Sequence, residues 1–324
     1  MPFDVLACPQ CAAPLPRQAH WRVVTCPHCG STVAKSAELV RAARFKEAYA
    51  RARTAAAPAG RELACCGHRY QLLTSLGRGS HSDVFLAERL EPLAMRVTLK
   101  LAYPSAMPGI LQQEADVLTA LHQKATQEAA YFGERLPKPV ASGKSLGPYG
   151  EGQELLLLQH PTGFWGSLGD VHAYHPSGVE PRHVVWMWRR VLEVLAFVHQ
   201  SGWVHGELAL EHLLVHPDDH GVLVVGWCKA ERAATMGHEP LRHPTAARDL
   251  TQLAWSMRAL LCGQGDIASM PAHVPGPLAS LLERCCDDPL WSDGQGARNL
   301  DRALREAARQ AFGAPRFVPF SPKA

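Results

Sequence analysis

No apolar run in this chain approaches the roughly 18 residues needed to span a bilayer, and the opening Met1-Pro2-Phe3-Asp4 lacks the basic-then-apolar order of a secretory signal. A membrane-spanning role is therefore not expected, and the cytoplasm is the expected compartment. Charge of one sign is also scarce. The formal net charge is +3 over 324 residues, and the basic residues are scattered rather than massed. Without an electrostatic footprint, a nucleic-acid partner is not expected. A deficit of apolar residues, the mark of a disordered chain, is missing too: 47% of the residues are hydrophobic and 19% charged, enough for a packed core.

Cysteine, by contrast, is plentiful, with ten in the chain. In a compartment that keeps thiols reduced, metal ligands and buried thiols are expected ahead of a disulfide framework. Cys8-Pro9-Gln10-Cys11 and Cys26-Pro27-His28-Cys29 form two C-x-x-C knuckles fourteen residues apart. Four thiolates so spaced suit tetrahedral Zn²⁺, with Leu15, Trp21, Val23 and Val24 supplying short strands between them. A redox dithiol is the competing reading, but a thioredoxin-type site needs one pair within a βαβ pattern. Residues 1–35 thus read as a zinc ribbon. Protein fills all four positions and leaves none for water, so the metal is expected to be structural, stabilising a module of about 30 residues too small to fold by core burial alone. Its few basic residues, Arg17, Arg22 and Lys35, favour protein contact as its role.

Ser36 to Ala57 is rich in Ala, Arg and Glu and ends before Pro58-Ala59-Gly60, which predicts a helix, a stop and a linker. Residues 36–67 are accordingly expected to be a helical linker. Cys65 and Cys66 with His68 offer a second metal site or, preferably, core and surface thiols; Cys285 and Cys286 fall within a helical apolar pattern. His160, His172, His175, His216, His220, His238 and His243 lie in loop-like settings without paired spacing, and most are expected to be solvated.

From residue 68 onward the chain carries an ordered series of motifs. Gly77-Arg78-Gly79-Ser80-His81-Ser82-Asp83-Val84 lies between the strand-like runs Tyr70-Gln71-Leu72-Leu73 and Phe85-Leu86-Ala87, as a glycine-rich hairpin requires. Val97-Thr98-Leu99-Lys100 is a further strand. Leu111, Glu114, Ala115, Leu118 and Leu121 recur at helical spacing, putting Glu114 on an apolar face where a carboxylate is costly unless paired. Apolar helices are expected over Val184 to Val198 and from Asp249. Between them lie His205-Gly206-Glu207-Leu208-Ala209-Leu210-Glu211-His212 and Leu223-Val224-Val225-Gly226-Trp227-Cys228.

In this order the stretches resemble the protein kinase family over roughly residues 68–312. The resemblance implies an α+β, bilobal kinase-like fold over residues 68–314, with a β-rich N-terminal lobe, a mostly helical C-terminal lobe and a tail at 315–324. It assigns Gly77, Gly79, Ser82 and Val84 to the loop over nucleotide phosphates, with Ser82 where the third Gly usually stands. Lys100 becomes the phosphate-contacting Lys and Glu114 its ion-pair partner. Leu118, His205 and Trp227 join an apolar stack between lobes, and Asp249 is the helix Asp that bonds the catalytic-loop backbone.

The chemical positions depart from the family. Glu207 stands for the catalytic Asp, His212 for the magnesium-binding Asn, and Gly226 for the Asp that is the main magnesium ligand. Gly206 replaces the Arg that grips an activation-loop phosphate, and no A-P-E follows Cys228, so the peptide-docking segment is shortened. Loss of both metal ligands removes more of the chemistry than the Asp-to-Glu exchange does. No catalytic residue is therefore expected. The resemblance implies a pseudokinase acting as a scaffold or regulatory partner of another protein, with ATP, where bound, held without magnesium. The alternative is an atypical phosphotransferase with Glu207 as base and Glu211, His212, Asp218 or Asp219 recruited to a divalent ion. The His-Pro-Asp-Asp run at 216–219 reads more simply as a turn.

Overall fold

The computed structural model describes residues 61–323 apart from 92–94, 125–131, 148, 162 and 234–244, together with the short strands Val24–Thr25 (β1) and Thr32–Val33 (β2). The expected zinc ligands Cys8, Cys11, Cys26 and Cys29 and the expected helix at 36–57 lie outside the described residues. β1 and β2 pair antiparallel, Val24 opposite Val33, and bracket residues 26–31 in sequence.

The chain divides into two compact units. One comprises residues 1–116 and 138–163, the other residues 117–137 and 164–324. The first is built on a six-stranded antiparallel sheet of β3 (Glu62–Cys65), β4 (His68–Arg78), β5 (Ser82–Arg89), β6 (Met95–Ala102), β7 (Pro139–Lys144) and β8 (Glu154–Gln159), in the order β3-β4-β5-β6-β8-β7. β3 falls inside the stretch 36–67 expected to be a helical linker. Its residues Leu63 and Cys65 alternate into the core, which makes it an edge strand, so the sheet starts at Glu62 rather than at 68. Along β4 the buried positions are Tyr70, Leu72 and Thr74, a period of two. β8 presents four consecutive buried leucines, Leu155 to Leu158, and pairs on both sides.

Helix α1 (Ile110–His122) buries Ile110, Leu111, Glu114, Ala115, Leu118 and Leu121 at the expected spacing. It has no acidic residue in its first turn. Instead Glu154 from β8 accepts hydrogen bonds from the backbone N–H groups of Gly109 (3.0 Å) and Gln112 (2.6 Å). A carboxylate at this end satisfies free donors and meets the positive pole of the helix dipole.

The second unit is mostly helical: α2 (Leu168–Tyr174), α3 (Pro181–Gln200), α4 (Ala246–Cys262), α5 (Gly276–Asp287) and α6 (Pro289–Phe312), the last broken at Gly296. Short strands β9 (Gly166–Ser167), β11 (Leu213–His216) and β12 (Gly221–Val224) form a three-stranded sheet, and β10 (Trp203–Val204) pairs with β13 (Glu231–Arg232). α3 starts at Pro181, where a proline costs nothing because that N–H has no helical partner. It extends beyond the expected 184–198 at both ends, since polar Arg182 and Gln200 cap an apolar stripe without changing it. The end of α4 is fixed by close packing: a Cβ on Gly178 would lie 2.1 Å from the Leu261 carbonyl oxygen, and both Gly178 and Gly263 have positive φ. Among the described residues no helix is long and apolar enough to cross a membrane.

Residues 315–323, at the C-terminal tail, pack through two rings: Phe320 is buried 5.0 Å from the His183 ring and 5.8 Å from Trp186, while Phe317 stacks on His220 at 4.3 Å. The described loop histidines are less solvated than expected. His216 and His220 are buried, His172 lies 2.9 Å from the Gly263 carbonyl, and His160 lies 3.0 Å from the Thr98 hydroxyl. Sequence spacing carries no sign of these contacts, since each ring packs against a residue distant in the chain; His238 and His243 are outside the described residues.

Burial disfavours the charged form of His160, His183 and His220. It lowers His160 to about 4 and lowers His183 and His220 from the ordinary histidine range. Protons therefore bind the unfolded chain more tightly than the folded one, so the stabilisation is present above about pH 6.5 and is lost as pH falls below it. Urea denaturation at pH 7.5, 6.5 and 5.5 should show stability falling with pH, and His220→Gln should flatten the slope. A pH-independent stability over this window would contradict the burial of these rings.

Candidate functional site

In the first unit the glycine-rich segment forms the tip of the β4–β5 hairpin, with Gly77 opposite Val84 and Arg78 opposite Asp83. Gly79 N–H donates to the Ser82 carbonyl at 2.9 Å and closes the turn. Tyr103 braces it from the end of β6: its hydroxyl accepts from Arg78 Nε at 3.0 Å and stands 3.1 Å from both the Gly79 carbonyl and the Asp83 carboxylate. A Cβ on Gly77 would meet nothing within 4 Å, and one on Gly79 would reach only the Ser82 carbonyl at 3.4 Å. Internal packing thus does not demand glycine at Gly77. The bare backbone leaves open surface of the sort a phosphate can approach. Ser82 itself is buried at the start of β5.

Lys100 lies on β6 opposite Val84 of β5 and Leu156 of β8. Its Nζ donates to the Glu114 carboxylate on α1, and Glu114 is fully buried while Lys100 is 8% exposed. Strand register and helix periodicity bring the pair together, and each charge compensates the desolvation of the other. Removing one partner from such a pair costs about 3–5 kcal/mol, because the remaining charge is left buried alone.

In the second unit Asp249, fully buried in the first turn of α4, organises the segment after β10. Its carboxylate accepts from the backbone N–H of His205 and of Gly206, both at 2.8 Å, and lies 2.9 Å from His199 Nε2. Gln252, one turn on, accepts from Leu208 N–H at 2.8 Å. His205 then bridges onward. Its Nε2 donates to the Val225 carbonyl at 3.0 Å, and its Nδ1 accepts from Glu207 N–H at 3.3 Å. The Trp227 ring is fully buried with its edge against His205, centroids 4.6 Å apart, and its Nε1 donates to the Val224 carbonyl at 2.8 Å. Leu118 is likewise fully buried.

At the chemical positions the replacements fit each other. His212 Nδ1 donates to the Glu207 carbonyl at 2.6 Å, so the neutral ring carries its lone pair on Nε2. A Cβ on Gly226 would fall 2.5 Å from Cδ2 and 2.7 Å from Nε2 of that ring. The imidazole therefore occupies the space that a side chain at Gly226 would need, and Gly226 adopts φ 84°, the left-handed region that glycine enters freely. Glu207 is half-buried. Asp218 and Asp219 sit in the turn joining β11 to β12, where Asp219 N–H bonds His216. Among the described residues no three His, Cys, Asp or Glu side chains form a group able to hold a metal ion. Gly226 itself has no side chain to offer a metal.

Cys65, Cys66 and His68 form no such group either. Cys65 is a core thiol pushed up to about 12 by burial, then by the neighbouring Cys66 sulfur, while Cys66 is exposed. Cys285 and Cys286 are buried on α5, pushed up to about 12 and about 11 chiefly by desolvation. Sequence reading named both members of the Gly226–His212 pair but missed that one excludes the other. Their separation along the chain gives no hint of contact.

No protein family model matches the chain, and no curated protein matches it. Solved structures do. The chain is similar to the kinase domain of a Toxoplasma gondii specific rhoptry antigen, with TM-score 0.59 and 15% identity over 83% of this chain and 91% of that one. It is also similar to vaccinia related kinase 3, with TM-score 0.56 and 18% identity over 79% of this chain and 92% of that one. The fold is that of protein kinases, a sheet-rich unit followed by a helical one.

Gly226→Asp should be strongly destabilising in the wild-type background, whereas in a His212→Ala background it should cost about 1 kcal/mol, the residual expense of a left-handed non-glycine residue. Thermal denaturation of the four members of this cycle reads the coupling, and additive effects would refute the steric exclusion. Trp227→Ala should cost about 3–5 kcal/mol, as for other large aromatic core truncations.

Proposed function

We propose that this chain is a pseudokinase, a kinase-like protein that works as a scaffold or regulatory partner of another protein rather than by conventional phosphoryl transfer. One observation carries the reading: the His212 ring fills the space of a metal-binding side chain at Gly226. Phosphoryl transfer needs charge neutralisation by a positioned metal more than it needs a particular base. Meanwhile the frame around the lost chemistry is fully bonded through Asp249, His205 and Trp227. Retained architecture with exchanged chemistry is what a protein-contact role requires.

Nucleotide binding is a separable part of the reading. Lys100, oriented by Glu114, and the open backbone at Gly77 and Gly79 in the hairpin that carries Ser82 and Val84 would hold the phosphates of ATP. Bound nucleotide would stabilise one conformation and not react. With no metal-holding group at Glu207, His212 and Gly226, binding would be largely independent of magnesium. A structural zinc held by Cys8, Cys11, Cys26 and Cys29 completes the proposal, with the ribbon serving protein contact.

ATP should raise the melting temperature about equally with and without added Mg²⁺. Lys100→Ala should abolish the shift, and Glu207→Gln should leave it unchanged. Mg²⁺-dependent phosphate transfer that vanishes in Glu207→Gln would instead establish the atypical phosphotransferase. Elemental analysis of protein purified without chelator should return one zinc per chain, and loss of that zinc in Cys8→Ser/Cys11→Ser would assign it; a zinc-free preparation would remove the ribbon from the proposal.

A further inference from the structure

Within the second unit α3 and α6 flank a groove of about 380 Å³ lined by three arginines. After the break at Gly296, α6 carries Arg298, Arg302, Arg305 and Arg309 at intervals of four, three and four, which places them on one face. From the other side α3 contributes Arg189 and Arg190, and Arg135 adds a further guanidinium. Two carboxylates, Glu193 and Asp301, line the groove itself beside Arg298, Arg302 and Arg305, and Glu306 lies on α6 four residues after Arg302. Glu193 takes Arg135 Nη1 at 2.5 Å and Arg190 Nη1 at 3.1 Å; Asp301 takes Arg189 Nε at 3.0 Å and also Arg305.

These two acids are largely buried and spent on holding the arginines in place. Burial works against the charge on Glu193, yet the Arg135 and Arg190 contacts outweigh it and keep the carboxyl below its ordinary range. Arg302 and Arg309 have no ion-pair partner among the described residues, and Arg302 lines the groove with Arg298 and Arg305. The floor is apolar: Phe132 stacks on Phe197 with centroids 5.6 Å apart, beside Ala196 and Leu192. From Arg298 to Arg305 the helix rises about 10 Å, the length of about three residues of extended chain.

We propose that this groove is a docking site for a short acidic segment of a protein partner, with carboxylates on the guanidinium forks of α6 and an apolar side chain against Phe132. Guanidinium forks match carboxylates in pairs, and pre-anchored arginines lose little freedom on binding. A nucleic acid fits less well, because the buried acids interrupt the positive surface and the apolar floor offers a phosphate backbone nothing. The site stands on its own residues and not on the loss of catalysis.

Fluorescence anisotropy on the full chain with a fluorescein-labelled Glu-Asp-Leu-Glu-Glu peptide tests it, beside a Lys-for-Glu version and a single-stranded DNA 20-mer. The acidic peptide should bind, and Arg302→Glu, which breaks no ion pair, should weaken it at least tenfold with an unchanged melting temperature. Arg316→Glu, an exposed arginine away from the groove, should leave binding within twofold. No binding by the wild type, equal binding of the Lys peptide, equal loss in Arg302→Glu and Arg316→Glu, or tighter binding of the DNA through Arg302 would each overturn the proposal. Because none of these readouts involves ATP, failure here leaves the pseudokinase reading untouched, and the reverse holds.

Discussion

The buried carboxylate of Asp249 is the interaction around which the helical unit is arranged. It sits where α4 begins and takes up two backbone N–H groups of the segment after β10, donors that would otherwise be unsatisfied in the interior. From it a chain of bonds runs through His205 to Val225 and from Glu207 to His212, so one carboxylate fixes the loop, the strand end and the ring between them. Charge-assisted bonds to backbone are among the strongest available to a protein, and a fully buried acid without them would be expensive. The frame around His205 and Trp227 therefore hangs on this carboxylate.

The changed residues are mutually consistent rather than separately degenerate. With Gly226 bare, the His212 ring moves into the vacated space; with the ring there, a side chain at Gly226 has no room. The ring is held there by its bond to the Glu207 carbonyl five residues earlier.

Two designs for charge stand side by side. Lys100 and Glu114 pair in the interior of the first unit, where each charge compensates the burial of the other. Along α3 and α6 the buried Glu193 and Asp301 each hold more than one arginine, Arg135 and Arg190 on the first and Arg189 and Arg305 on the second. The first arrangement is a buried pair, the second a partly exposed network.

Much of this was legible in the chain. Period-two runs at Tyr70–Leu72, the helical repeat from Leu111 to Leu121 and the order of motifs around Lys100, Glu114, His205 and Asp249 specify the kinase-like fold, because burial of one face dictates local periodicity. The helical apolar pattern around Cys285 and Cys286 was legible for the same reason, and their burial followed from the fold. What periodicity does not carry is contact between residues far apart in sequence. That β3 belongs to the sheet, that Phe317 and Phe320 dock on a histidine and tryptophan surface, and that His212 stands against Gly226 were decided by tertiary packing. The sequence determined which faces had to be buried; only the folded chain determined which faces met.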